Sequence, residues 1–299
     1  MTYSISDLEQ LSGVQSHTIR IWERRYNALE PMRSAGNTRL YDGIQLRRLL
    51  NIVSLSKSGL KISHVCSLTE LEMNELLNKE LDQLESPVAK YEYYISQLLS
   101  VGLAYDEVAF NALICTALDE YGLKTTYTNI MYPLLVRLGL MWRSDNICPA
   151  QEHFLSNIIR QKISAATNEI PQDLASTSTW VLFLPEDEDH DIGLLFANYL
   201  LKLSGLKVIY LGAKVPIDSL KNVLNTIKVD YLLLFMVKNP PGHAGTDYLT
   251  TLSDNFPDQL IYVAGNTRVL SDRKSEGNIR SLNSIEELEN QINMTNHAN

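Results

Sequence analysis

The sequence predicts a multidomain protein of α plus α/β class: a winged helix-turn-helix, then a helical bundle, then a parallel α/β sheet. Three observations predict this. A basic run over residues 16–61 interrupts an otherwise acidic chain; residues 76–168 carry long apolar spacing with few helix breakers; and from Trp180 onward short apolar runs alternate with amphipathic ones. The 299 residues suffice for about two or three domains.

Composition is that of an ordinary folded protein, 45% hydrophobic and 20% charged. No apolar run approaches the roughly 18 residues of a membrane helix, and the longest, Tyr231 to Val237, reads as a buried strand. The opening MTYSISDLEQ lacks the basic and apolar regions of a secretory signal. Cys66, Cys115 and Cys148 are far apart and odd in number, which suits a reducing cytoplasm better than a disulfide framework or a zinc cluster. The net charge of −9 argues against nucleic acid only when read globally. Arg20, Arg24, Arg25, Arg33, Arg39, Arg47, Arg48, Lys57 and Lys61 face only Glu23, Glu30 and Asp42 within the basic run, while the acidic excess lies in residues 70–85, 186–191 and 286–289. A basic patch on an acidic body fits a DNA module joined to a domain of another kind.

In the first 72 residues, Ser4 or Ser6 can cap a helix over Asp7–Leu11, and Gly13 breaks it. Ser16 can cap a second helix, His17–Tyr26, with Leu8, Leu11, Val14, Ile19 and Trp22 as core. His17, Arg20 and Arg24 then share one exposed face, beside Arg25. Pro31–Tyr41 reads as a hairpin turning at Gly36-Asn37, with Arg33 and Arg39 flanking the turn: a wing that can reach phosphates or the minor groove. Thr18-Ile19-Arg20, Trp22, Arg33 and Arg39-Leu40-Tyr41 resemble the winged-helix domain of the MerR family. That resemblance implies contacts to a double-stranded DNA operator by Arg20, Arg39 and Tyr41, with His17, Arg24 and Arg25 nearby, and two half-sites bound by a homo-oligomer, a dimer or tetramer.

In the helical stretch 76–168, Pro149 suits the first turn of a helix carrying Glu152, His153 and Ser156, and Trp142 lies upstream. Pro171–Thr179 is a linker by composition. Beyond it, WVLFLP, KVIYLG, DYLLLFMV and QLIYVAG read as strands of a parallel sheet covered on both faces, over residues 178–299, and the tail from Ile285 as a short helix followed by disorder. Glu188-x-His190-x-x-Gly193 follows the first of these strands, at the end where open α/β sheets bind ligands. On the residues alone His190 is either a metal ligand whose second nitrogen a neighbouring acid holds, or an ordinary loop histidine in an acidic turn.

This spacing resembles the cobalamin-binding signature, a flavodoxin-like domain in which the histidine is the lower ligand of cobalt. Trp142 with Glu152-His153 resembles the helical cap of the light-responsive cobalamin regulators of the CarH and LitR type, where the tryptophan and glutamate cover the adenosyl group. The resemblance implies adenosylcobalamin as cofactor, His190 as metal ligand, and Trp142, Glu152, His153, Glu188, Gly193 and Gly265 as cofactor contacts. The chain departs from the pattern in three places. Phe235-Met236-Val237-Lys238 replaces a serine-containing loop that meets the nucleotide tail, Ala264-Gly265 replaces Gly-Gly, and Arg143 stands where photoreceptor members carry a second histidine. The functional expectation is a regulator, not an enzyme, whose ligand controls oligomerisation and operator binding. The alternatives are a cofactor-free regulator whose α/β domain mediates assembly and, less favoured, a cobalamin-dependent enzyme module.

Overall fold

The computed structural model describes residues 2–34, 36–57, 59–83, 87–143, 148–171, 178–238, 244–265 and 277–297; the side chains of residues 74, 78–83, 141–143, 244–247 and 296–297 lie outside that description. The chain divides into two units, Met1–Ile159 and Arg160–Asn299.

The first unit opens on a reciprocal cap. Ser4 Oγ accepts from the Asp7 N–H at 3.2 Å while the Asp7 carboxylate accepts from the Ser4 N–H at 2.6 Å, and α1 runs Ile5–Ser12. Gly13, at φ 71°, closes the helix in a conformation that glycine adopts without Cβ strain. Helix α2 runs Ser16–Tyr26 with Gln15 as its N-cap. Ser16 therefore does not cap α2; its hydroxyl donates to Glu9 and ties α2 to α1. Leu8, Leu11 and Ile19 are buried, and Val14 and Trp22 half-buried. Strands β1 (Met32–Arg33) and β2 (Arg39–Leu40) pair antiparallel. Tyr3 and Tyr41 exchange backbone hydrogen bonds at 2.7 and 2.9 Å, fastening this hairpin to the start of the chain.

Helix α3 (Gly43–Lys57) buries Leu46, Leu49, Leu50, Ile52, Val53 and Leu55. It packs on α1, α4 (Ile62–Ser67), α5 (Glu70–Gln83) and α6 (Pro87–Leu103), and a helix apolar around its girth belongs at such a centre. Helix α7 (Glu107–Thr126) continues through a π-helical turn, Tyr127–Met131, into α8 (Tyr132–Arg143), and α9 spans Pro149–Asn168. Gly102 brings α6 close to α9, since a Cβ there would stand 2.1 Å from Leu155 Cδ2. Two cations of the basic run turn out to be structural. Arg48 donates to the carbonyls of Ala28, Cys66 and Leu68 and pairs with Glu70 at 2.7 Å; Lys57 pairs with Glu92 at 3.1 Å.

The second unit is a five-stranded sheet of order β4-β3-β5-β6-β7, all pairs parallel. Its strands are β3 (Thr179–Phe183), β4 (Lys207–Gly212), β5 (Tyr231–Met236), β6 (Leu260–Gly265) and β7 (Ile279–Leu282). Helices α10 (Ile192–Leu203), α11 (Ile217–Thr226), α12 (Ala244–Asn255) and α13 (Ile285–His297) cover it. This is the flavodoxin-like order, whose direction reverses between β3 and β5 and leaves a crevice at their carboxyl ends. Val181, Phe183, Leu232, Leu234, Ile261 and Val263 form one core with Leu220, Leu249 and Leu252 of α11 and α12. Trp180, Leu182, Tyr231, Leu233 and Tyr262 alternate to the opposite face, where α10 packs on β3, β5 and α13. Thr179 opens β3 rather than closing a linker, and most of that linker, residues 172–177, lies outside the described residues. The tail from Ile285 forms a helix of 13 residues with Leu288 and Ile292 buried, where the sequence suggested only a short one. No described helix is long and apolar enough to cross a membrane.

Candidate functional site

The first candidate surface is the exposed side of α2 and the wing. His17, Arg20, Arg24 and Arg25 are all exposed, and Arg24 Nε donates to the Arg20 carbonyl at 3.3 Å. Arg39 is reached through Glu23, a carboxylate with only 6% of its side chain exposed, which binds Arg39 Nε at 2.9 Å and accepts the Tyr41 hydroxyl. Glu23 thus joins the wing to the recognition helix. In the sequence it is one of three acids within the basic run; the signal it carries is its place four residues after Ile19, on the buried face of α2. Tyr41 corrects the expectation. It is fully buried, and burial together with the Glu23 carboxylate pushes its hydroxyl far above the usual phenol range. Tyr41 supports Arg39 through Glu23 and offers no surface of its own.

The second candidate lies in the loop between β3 and α10, at the sheet's switch point. Glu188 is buried, with 4% of its side chain exposed. Its Oε1 accepts from the Asp189 and His190 backbone N–H groups, both at 3.0 Å, and from His190 Nδ1 at 2.6 Å. Its Oε2 accepts from the backbone N–H groups of Val237 and Lys238, both at 2.8 Å. One carboxylate therefore staples the loop after β3 to the segment after β5. Burial works against its charge, but the bonds from His190 and from the Lys238, His190 and Val237 N–H groups outweigh it and hold the carboxyl at about 2. The bond to Glu188, opposed by burial, raises the His190 pKa above its ordinary value. The imidazole, 54% exposed, is oriented through Nδ1, so its neutral form carries a lone pair on Nε2. Lys238 reinforces the loop by pairing with Asp189 at 2.9 Å.

Gly193 sits in the first turn of α10 with Phe235 against it: a Cβ there would lie 2.7 Å from Phe235 Cε1. Gly265 has a structural reason to be glycine. Its φ is +123°, and a Cβ would stand 2.4 Å from the Met236 carbonyl oxygen. Glu152 and His153, on the first turn of α9, pair with each other at 2.8 Å and belong to the first unit, whereas the Glu188 loop belongs to the second. The side chains of Trp142 and Arg143 lie outside the described residues. The structure thus gathers Glu188, His190, Gly193, Phe235 and Lys238 at one end of the sheet.

Residues 3–70 match the MerR HTH family of regulatory proteins. The first domain belongs to the MerR helix-turn-helix family. Downstream of this MerR domain, residues 94–167 match the B12 binding domain family. The HTH-type transcriptional repressor CarH of Myxococcus xanthus is 28% identical over 88% of this chain and 89% of its own length. The repressor CarA of the same organism is 26% identical over 85% of this chain and 82% of its own. The monomethylamine corrinoid protein of Methanosarcina barkeri superposes with a TM-score of 0.53 at 14% identity, covering 66% of this chain and 96% of that one, a likeness of fold. A MerR head followed by a B12-binding domain is the make-up of a transcription regulator and not of an enzyme.

Proposed function

We propose that this chain is a DNA-binding regulator of transcription that senses an adenosylated corrinoid, adenosylcobalamin in the first instance. His190 would take cobalt through Nε2 and Glu188 would hold the ring's other nitrogen, with Gly193 beside them at the start of α10. Trp142, Glu152 and His153 would cover the upper face. Arg20 would read base edges, with His17, Arg24 and Arg25 beside it, and Arg39 would meet a phosphate from the wing. When bound, the cofactor would supply a light-sensitive cobalt–carbon bond. Its occupancy would set whether the chain assembles into the dimer or tetramer that spans two half-sites.

The observation that carries the reading is the buried Glu188 bound to His190 Nδ1 at 2.6 Å, a bond that fixes the ring so that a neutral imidazole directs Nε2 at a metal. The donor chemistry fits cobalt. Adenosylcobalamin added in the dark at saturating concentration should give a corrin spectrum that co-elutes with the chain, and His190→Ala should abolish or greatly weaken it. Sedimentation with and without cofactor then reads the assembly. A chain that stays colourless both with adenosylcobalamin and with a corrinoid lacking the nucleotide overturns the reading in favour of a regulator whose sheet serves assembly alone.

A further inference from the structure

We infer that the site selects corrinoids lacking the lower nucleotide, so that Phe235 is a specificity-determining residue. This rests on the corrinoid reading above and deepens it.

A complete cobalamin carries a benzimidazole nucleotide, joined through an anionic phosphodiester, on the face of cobalt where an incoming imidazole must bind. If His190 takes cobalt, the displaced nucleotide must be housed beside His190. On the α10 side the described residues crowd the space. Phe235 lies so close to Gly193 that not even a methyl group fits between them, a Cβ standing 2.7 and 2.9 Å from two ring carbons. Behind it Trp180 stacks on Tyr231 and Tyr262, with centroids 4.5 and 5.3 Å apart. The Tyr262 hydroxyl closes on Gln291 of α13 at 2.9 Å. Packed layers of this kind resist an inserted ring.

The other side of Glu188 is open but has the wrong charge. A cleft of about 500 Å³ there is lined by Glu186, Asp187, Asp218 and Tyr248. Its two lysines are engaged, Lys221 with Asp218 at 2.9 Å and Lys238 with Asp189 at 2.9 Å. With Asp218 paired to Lys221, Glu186 and Asp187 still leave the rim of the cleft negative, which disfavours a phosphodiester. A corrinoid without the nucleotide meets neither obstacle and still offers cobalt to His190.

The test titrates the full chain with aquocobalamin and with diaquocobinamide, which lacks the nucleotide. Absorbance follows binding, and electron paramagnetic resonance of the reduced cobalt(II) forms identifies the axial nitrogen. Because cobalamin must also release its own benzimidazole, free imidazole sets the reference ratio for the two corrinoids. The chain should favour cobinamide by at least about tenfold beyond that reference, with an axial nitrogen that disappears in His190→Ala. Phe235→Ala should narrow the gap by improving cobalamin more than cobinamide. If that variant does not fold, the wild-type ratio against the imidazole reference decides. A ratio no greater than the reference with His190 on cobalt overturns this inference and leaves the corrinoid reading standing. Binding of neither overturns both.

Discussion

Two buried carboxylates in this chain perform the same mechanical task with different partners. Glu23, in the MerR head, joins the wing to the recognition helix through the Arg39 guanidinium and the Tyr41 hydroxyl. Glu188 joins two loops of the sheet through backbone N–H groups and His190. One of Glu23's partners is a cation for which another anion can compete, so that joint is open to exchange. Backbone amides have no such alternative, so the Glu188 joint stays fixed and holds His190 in one pose. A carboxylate paired to a mobile cation makes an exchangeable contact; one saturated by backbone makes a rigid platform.

Removing each staple separates the two cases, and the largest effect belongs to Glu188. Glu188→Ala strands four part-buried N–H groups after β3 and β5 and should destabilise the second unit by about 3–5 kcal/mol. Hydrogen exchange at β3 and β5 amides reads it, and unchanged protection would show that the loops do not need the carboxylate. The next effect is on acid stability. Glu188 lies at about 2 in the fold against an ordinary 4.5. Its folded value is the lower one, so its charge stabilises the fold above the ordinary value. That contribution fades as pH falls from about 4.5 through about 2. The loss should reach about 3 kcal/mol at most, and Glu188→Gln, starting less stable, should lack this limb. Parallel acid curves for both proteins would remove Glu188 as its source.

The same contrast explains what was legible in the sequence. Strands β3 to β6 were visible because a sheet covered on both faces needs continuous apolar runs, as in DYLLLFMV. Strand β7, Ile279–Leu282, was missed because its four residues, IRSL, carry no such run. Helix α13 was underread because Leu288 and Ile292, which bury it, are thinly spaced among polar residues. The Glu188–His190 pair was legible because its partners lie two positions apart. The Glu23–Arg39–Tyr41 cluster was not, because its members meet only when the hairpin folds back over α2, across separations of 16 and 18 residues.

On the DNA side the expected effects are smaller. Arg20→Ala should cost about 1–3 kcal/mol of operator binding if the residue reads a base edge. Arg39→Ala should cost about 1 kcal/mol and flatten the salt dependence by about one unit, the mark of a phosphate contact. Gel shifts across a salt series measure both. Wild-type affinity in two well-folded variants would move the DNA face off α2 and the wing, and an unchanged slope for Arg39→Ala would mean that Glu23 keeps its cation even on DNA.

The smallest effect is the one that most sharply tests the burial of Tyr41. Its ring is fully buried and its hydroxyl donates to Glu23. Tyr41→Phe keeps the ring and its packing and removes one of the two partners of a buried carboxylate. The head should lose about 1 kcal/mol of stability, the usual cost of a buried acceptor deprived of one bond. Arg39 still holds Glu23, so the wing keeps its place, and operator affinity should change by less than about 0.5 kcal/mol. The salt slope should not move, because no charge is lost. Thermal unfolding and a gel shift on the same sample separate these effects. A drop of about tenfold in affinity with unchanged stability would place the hydroxyl on the DNA. Glu23 would then hold the wing through Arg39 alone, and the head's staple would be a single ion pair.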